Sequence, residues 1–264
     1  MMRALWTAST GMMAQQLNVD TISNNIANVN SVGYKKTRVE FKDLLYETME
    51  KGLVVNGQGK PVNLQVGHGV KVSATTKFFT EGNLDMTGNS YDVALDGPGF
   101  FKITGPKGEE MYTRDGSFKI SVDGDSSKLV TADGYYVQGS NGDIDLGSNV
   151  KDVIINESGL ITVERNDGTM DEVGNLSIAT FVNPAGLESV GKNLFLASPA
   201  SGEAFDATED GSGGSVMQGY LESSNVQVVE EMVKLIQAQR AYEINSKSIQ
   251  TADEMLGMAN NLRR

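Results

Sequence analysis

The last forty residues, 225–264, carry apolar and small side chains at alternating steps of three and four. This is the spacing of a helix that packs along one seam. The seam residues are Val228, Leu235, Ala238, Tyr242, Asn245, Ile249, Ala252 and Leu256. Alternate seam positions hold only Ala or Asn, so a neighbouring backbone can approach closely there. The pattern predicts one long helix built for tight packing against other helices.

A weaker heptad pattern lies near the start of the chain. Its seam residues are Leu5, Ala8, Met12, Val19, Ile22, Ile26 and Val29. Gly11 and Gln15 interrupt the pattern, and the segment is rich in Thr, Ser and Asn, which are poor helix formers. Such a helix is marginal alone. We therefore expect it to pair with the C-terminal helix, which would bring both chain ends to one pole.

Between these helices the hydrophobic period changes to two, which is the period of β-strands. Short apolar runs begin at about residue 70, and Asp-Gly and Asn-Gly pairs, which favour tight hairpins, separate many of them. Residues 41–48 are predicted to prolong a helix, whereas the Gly- and Asn-rich stretch that follows indicates an extended arm or a flexible linker. A polar run at 208–215 is expected to form a surface loop.

The predicted fold is therefore α+β, with three parts. Long N- and C-terminal helices, within 1–41 and 223–264, pair as a coiled-coil-like α domain. An extended arm or linker covers 42–69. A central, mainly antiparallel β domain covers 70–222.

Charge and composition exclude several classes of function. The chain has 22 Lys and Arg against 34 Asp and Glu, for a net charge of −12, and most of the excess lies in the middle. Nucleic acids and anionic membranes need clustered cations, so neither is expected as a partner. Cysteine is absent, which removes disulfides and thiolate chemistry. No signal-peptide core and no membrane-length apolar run is present, which by itself indicates the cytosol.

No motif in the chain indicates catalysis or ligand binding. His68 is the only histidine and has no nucleophile motif to serve. The Gly-x-Gly pairs lack the third Gly and the helix that a phosphate site needs. Asn141, Asp143, Asp145 and Asp152 follow an EF-hand-like count, but the Gly is misplaced and no Glu closes the loop. We predict no enzyme, no catalytic, cofactor or metal site and no small-molecule substrate.

Several stretches resemble bacterial flagellar rod and hook proteins. At the C-terminus these are GYLESSNV at 219–226, MVKLIQAQRAYE at 232–243 and IQTADEML at 249–256. Near the N-terminus the stretch NNIANVNSVGYKK at 24–36 is similar to a family motif, although Ser31 and Val32 replace the more usual Thr and Thr or Pro. Residues 96–101 and 112–118 also resemble this family. The motif turn comprises Asn28, Asn30, Gly33 and Tyr34.

The resemblance implies a structural subunit that self-assembles into the tubular distal rod of the flagellar basal body and transmits torque to the hook. The two helical seams would then form the assembly interface. Implied partners are further copies of the chain, proximal rod and hook proteins, basal-body ring proteins and the type III export apparatus, through which the chain would pass without a cleaved signal peptide. Two alternatives stay open: a hook or proximal rod subunit, and a soluble β-domain binding module with an intramolecular helical hairpin.

Overall fold

A computed structural model of the chain describes residues 2–50, 54–55, 58–59, 63–106, 108–123, 126–140, 142–148, 150–207 and 213–261. The chain divides into two compact units. The first combines Met1–Ala27, Thr37–Lys77 and Gln227–Arg264, and the second combines Asn28–Lys36 and Phe78–Val226. Each unit is therefore assembled from segments that are far apart in sequence.

The first unit consists of two long helices and short antiparallel strand pairs. The helices are α1 (Met2–Ala27) and α2 (Val228–Asn261), and the strands are β1 (Thr37–Asp43), β2 (Tyr46–Glu50), β3 (Val54–Val55), β4 (Gln58–Gly59), β5 (Leu64–Gly67) and β6 (Val70–Lys77). Strand β1 pairs with β6, β2 with β5, and β3 with β4. The two helices pack together, and α1 also packs against β1 and β6. Within the described residues, neither helix combines the length and the apolar character that crossing a membrane requires.

The structure corrects two sequence expectations in this unit. Residues 41–48 do not prolong a helix, because β1 pairs with β6 from Thr37↔Lys77 to Asp43↔Val70 and β2 pairs with β5. Helix α2 begins at Val228 rather than at 225. The side chain of Asn225 is engaged elsewhere, because it accepts a hydrogen bond from the backbone N–H of Lys36 at 2.8 Å. Val29 lies just beyond the end of α1, and 262–264 lie outside the described residues.

The second unit is an antiparallel β structure. Its strands are β7 (Leu84–Met86), β8 (Val93–Asp96), β9 (Phe100–Thr104), β10 (Glu110–Thr113), β11 (Lys119–Asp123), β12 (Ser126–Val130), β13 (Tyr136–Gly139), β14 (Gly142–Asp143), β15 (Val150–Ile155), β16 (Leu160–Arg165), β17 (Met170–Asn175), β18 (Ile178–Thr180), β19 (Glu188–Gly191), β20 (Leu194–Leu196), β21 (Phe205–Asp206), β22 (Ser215–Gln218) and β23 (Tyr220–Glu222). A single-turn 3-10 helix spans Pro184–Gly186.

The strands of this unit form one large sheet and several small ones. The large sheet has ten strands in the order β11-β12-β13-β9-β10-β20-β19, with β14, β18 and β21 attached to its sides. Strands β15, β16 and β17 form a three-stranded sheet, while β8 pairs with β22 and β7 with β23. The core includes Phe101, Ile103 and Val137, all fully buried. The α+β prediction with a central antiparallel β region is confirmed.

The hairpin prediction holds where an Asp-Gly pair joins neighbouring strands. Asp167 and Gly168 connect β16 to β17, and Asp133 and Gly134 lie between β12 and β13. Both glycines have a positive φ, 76° at Gly168 and 85° at Gly134. Glycine adopts this left-handed region without the strain that a β-carbon would introduce. The predicted loop at 208–215 falls largely outside the described residues, and β22 already begins at its last position.

Candidate assembly interface

The two helices of the first unit run antiparallel with a fixed register. The Asn25 amide on α1 donates a hydrogen bond to the Glu231 carboxylate on α2 at 3.2 Å. Further along, a β-carbon at Gly11 would lie 2.8 Å from the amide nitrogen of Asn245. Fourteen residues separate these positions in each helix, in opposite directions along the chain. The two heptad patterns therefore meet inside one chain.

Most of the predicted seam residues are shielded at this helix pair. Ala8, Ile22, Ala238 and Ala252 are buried, with 2–6% exposure. The partly buried members are Leu5, Met12, Val19, Ile26, Val228, Leu235, Asn245, Ile249 and Leu256. Tyr242 is more open, at 39% exposure. The small residues at alternate positions thus allow close approach of α1 and α2, and Val29 is partly buried in the turn beyond α1.

A buried polar contact at one end of the pair was missed from the sequence. Asn25 and Glu231 are 2% and 3% exposed. The Asn25 side chain also binds Thr37 at the start of β1, accepting from its N–H at 3.0 Å and donating to its carbonyl at 2.8 Å. Lys234 donates to the Glu231 carboxylate at 2.6 Å. The available signal was the charged residue Glu231 in the heptad position between Val228 and Leu235.

Both helices carry a second set of large apolar residues, outside the seam, that is exposed. We call this set the outer apolar face. It comprises Met2, Trp6, Met13 and Leu17 of α1 and Val229, Met232, Val233 and Ile236 of α2, with exposures from 37% at Leu17 to 77% at Met2. The four α2 residues follow the i, i+3, i+4, i+7 spacing of a single helical stripe. A monomer gains nothing from such a stripe in water, so this face is the strongest candidate for a contact with another molecule.

A groove between the helices shows that the α1 part and the α2 part of the outer apolar face lie on the same side of the helix pair. It has a volume of about 450 Å³ and is lined by Gln16, Val19 and Asp20 from α1 and by Gln239, Tyr242 and Glu243 from α2. Gln16 and Gln239 each directly follow a seam position. Met2 and Met232 occupy the same heptad position as these glutamines, and Trp6, Met13, Val229 and Ile236 occupy the heptad position of Asp20 and Glu243. In an antiparallel pair these positions of both helices flank one side of the seam.

The motif turn belongs to the second unit. Gly33 has φ 66°, and a β-carbon there would lie 2.7 Å from the backbone nitrogen of Asp115. Asn28 accepts hydrogen bonds from Ser31 through both its backbone and its side-chain oxygen, at 3.2 Å each. Tyr34 is buried, whereas Asn30 is exposed. The glycine is therefore required by both the left-handed backbone and the close approach of another chain segment.

Three of the stretches that resemble the flagellar family meet at Glu222 in the second unit. One carboxylate oxygen of Glu222 accepts from Lys35 Nζ and from the backbone N–H of Gly82, and the other accepts from Arg114 at 3.3 Å. The Glu222 carbonyl accepts from the N–H of Gly33 at 2.8 Å. The side chains of Lys35, Arg114 and Glu222 are each at most 2% exposed. Burial lowers the pKa of Lys35, and the neighbouring Glu222 carboxylate opposes that change.

The residues that the sequence analysis considered for catalysis or calcium binding contact nearby backbone groups or a lysine. His68 Nδ1 lies 3.0 Å from the carbonyl of Leu45. Asp145 and Asp152 accept hydrogen bonds from nearby backbone N–H groups, and Asp143 lies 3.6 Å from Lys128 Nζ. Asn141 lies outside the described residues. Among the residues that the structure describes, no group of three or more His, Cys, Asp or Glu is arranged to hold a metal ion.

Comparison with known proteins first defines a class. The family described as "Flagella basal body rod protein" matches residues 5–35, which contain most of α1 and the motif turn. The "Flagellar hook protein FlgE/F/G D1 domain" matches 94–163, and the "Flagellar basal body rod FlgEFG protein C-terminal" matches 217–262. The helix pair and the β region thus define a protein of the flagellar rod and hook class.

Relatives along the whole chain narrow this class to one family. The "Flagellar basal-body rod protein FlgG" of Borreliella burgdorferi is 46% identical over 100% of both chains, and that of Agrobacterium fabrum is 46% identical over 96% of this chain and 97% of its own. The "Flagellar hook-basal body complex protein FlhP" of Bacillus subtilis is 32% identical over 100% of both chains. The chain belongs to the FlgG family of flagellar basal-body rod proteins.

Proposed function

We propose that this protein is a structural subunit that polymerises with copies of itself into the tubular distal rod of the flagellar basal body, and that the tube transmits motor torque to the hook. The observation that carries the proposal is the outer apolar face on the helix pair of a chain from the FlgG family. Burial of a Val-, Leu-, Ile- or Met-sized side chain contributes ~1.5–3 kcal/mol. A face with seven such exposed residues and Trp6 therefore favours association with further copies.

The division of labour within the chain follows from this proposal. Residues 1–41 and 223–264 form the assembly domain, in which the seam residues hold α1 against α2 and thereby present the outer apolar face. The arm at 42–69 lies along neighbouring subunits and stiffens the tube, and the β domain at 70–222 covers the outside. No step of this role is catalytic, and it requires no cofactor.

The remaining partners and the location come from the family. The proposed neighbours along the axis are proximal rod and hook proteins, the proposed surrounding partners are basal-body ring proteins, and the proposed route is the type III export apparatus without a cleaved signal peptide. Contacts between copies that are head-to-tail and do not close into a ring generate a helical filament. A rod requires contacts of this open kind, since a closed ring would stop growing.

The test is assembly of the purified full chain at increasing concentration, followed by sedimentation and electron microscopy. We expect a critical concentration above which straight tubes form, and we expect Trp6→Gln to raise it. A constant monomer mass at every concentration would contradict the proposal and favour the soluble binding module. Val122→Gln is the matched control, because Val122 is 70% exposed on β11 in the β domain.

A further inference from the structure

The groove between α1 and α2 has two carboxylates at its rim, and neither is paired with a cation in the described part of the chain. Asp20 and Glu243 are both exposed, and neither forms an ion pair with any described part of the chain. Below them lie Val19 and the half-open ring of Tyr242. A long cationic side chain suits this arrangement, because its methylene groups can cover the apolar residues while its charged end reaches the carboxylates. The face of Tyr242 offers a further attraction for a cation.

The helix register fixes the spacing of the two carboxylates. Since Gly11 lies beside Asn245, Glu243 lies level with Met13, which is seven residues along α1 from Asp20. Seven residues correspond to about 10 Å along a helix at ~1.5 Å per residue. A binding partner would therefore need two cations roughly 10 Å apart along a rigid element.

The outward side of α2 supplies such a pair of cations. Arg240 and Lys247 are exposed and occupy the heptad position farthest from the seam, again seven residues or about 10 Å apart. Glu243 stands at helical spacing from both cations. Even so, neither Arg240 nor Lys247 forms an ion pair within the described part of the chain. Neither cation lines the groove, and both lie on the outward side of α2, beyond the Glu243 rim.

We propose that the groove of one copy receives the Arg240 and Lys247 side of α2 from a second copy, and that this contact sets the register between subunits. The inference rests on the proposed self-assembly and specifies its contact. Because Arg240 and Lys247 do not line the groove, a copy that binds through them leaves its own groove free for a third copy, so the contact propagates instead of closing. The outer apolar face lies on the same side of the helix pair as the groove and supplies the association energy. The charge pairs then select one alignment of the two copies.

Charge exchange tests the contact. The variant Arg240→Glu/Lys247→Glu and the variant Asp20→Lys/Glu243→Lys should each raise the critical concentration for assembly roughly tenfold or more, the change that ~1.4 kcal/mol produces. The chain with all four substitutions should recover most of the loss. The control is Lys119→Glu, which, like the changes at Arg240 and Lys247, replaces an exposed cation with an anion but lies on β11. It should have little effect. Normal assembly by both double variants, or no recovery in the fourfold variant although circular dichroism shows it folded, would overturn the proposal.

Cysteine cross-linking separates this contact from the proposed function, because the chain contains no cysteine of its own. Asp20→Cys chains are mixed with Arg240→Cys chains or with Lys247→Cys chains, one of each pair carrying a mass tag, and are then oxidised. We expect mixed-mass dimers for one of the two pairings and none for Asp20→Cys with Lys119→Cys. Tubes without these dimers would refute the contact and leave the rod function intact. Dimers without tubes would support the contact and refute assembly into a rod.

Discussion

The buried ammonium group of Lys35 donates a hydrogen bond to the buried carboxylate of Glu222, which lies 187 residues further along the chain. Arg114 adds a second cation to the same carboxylate, and its Nε has no hydrogen-bond partner within the described residues. Ion pairs taken out of water have a large desolvation cost, so such a cluster is held by geometry more than by net attraction. The cluster connects the turn that follows α1, through Lys35, to the end of strand β23, through Glu222.

Removing the carboxylate should destabilise the second unit strongly. Glu222→Gln removes the one carboxylate that both buried cations contact, and breaking a buried pair from one side typically costs about 3–5 kcal/mol. Calorimetric or denaturant unfolding of the full chain measures the loss. Glu110→Gln is the control: Glu110 pairs with Lys102 at 2.9 Å but is 54% exposed, so its loss should cost less than about 1 kcal/mol. Equal effects of the two substitutions would contradict the role assigned to Glu222.

The motif turn gives a second prediction, at Gly33. Gly33→Ala should destabilise the second unit for two reasons, the left-handed backbone at φ 66° and the 2.7 Å approach to the Asp115 nitrogen. The conformational part alone is about 1–2 kcal/mol. Gly134→Ala isolates that part, since Gly134 has φ 85° but no atom within 4 Å of the β-carbon position. Unfolding free energies should therefore fall further for Gly33→Ala than for Gly134→Ala.

Local periodicity explains which parts of the fold were predictable. Both heptad patterns predict their helices and the pairing of these helices, because a 3.5-residue period states which side of a helix is to be covered. Strand β1 was missed because its partner β6 lies about 30 residues away and only Val39 on β1 is buried. A strand with almost no buried side leaves little periodic signal, so the pairing that defines it cannot be found locally.

The candidate assembly interface could be predicted only in part, for a related reason. Helix α1 has two apolar stripes, and the heptad pattern identifies the one that pairs with α2 but does not show that the second stripe stays exposed. The structure resolves this, because Ala8 and Ile22 of the seam are buried while Trp6 and Met13 are 65% and 73% exposed. Similarly, Glu222 is one of 34 acidic residues, and its partner Lys35 is near the other end of the chain. Contacts between residues so far apart in sequence leave no local pattern.

The two apolar surfaces of the helix pair should respond differently to substitution. Trp6→Gln/Ile236→Gln removes two exposed members of the outer apolar face and introduces residues that favour helices. The helix content of the monomer should stay constant, while the critical concentration for assembly rises at least about tenfold. Circular dichroism and sedimentation of the same samples provide both measurements. Unchanged assembly would exclude this face from the contact between copies.

A seam substitution should give the opposite result in the monomer. Ala252 is 2% exposed, and Ala252→Leu would force extra volume between the helices at a cost of about 1–3 kcal/mol. We expect lower helix content and faster proteolysis of both chain ends, with the β domain still folded. Met258→Leu, an apolar exchange at a 60% exposed position of α2, should leave helix content unchanged. Equal helix content in Ala252→Leu and the natural chain would mean that the seam tolerates separation of the helices.

The last prediction concerns the arm. Strands β2 and β5 bracket residues 51–63, and their pairing ends at Glu50↔Leu64, so a two-residue Asn-Gly turn can replace 51–63 without disturbing either strand. If the segment were only a linker, shortening it would matter little, because each doubling of a flexible loop costs only about 0.6 kcal/mol. If it lies along neighbouring subunits, its removal should leave thermal unfolding of the monomer unchanged but produce curved, fragile or no filaments. Electron microscopy distinguishes the two outcomes, and straight, stable filaments from the shortened chain would leave the helix pair as the sole source of stiffness.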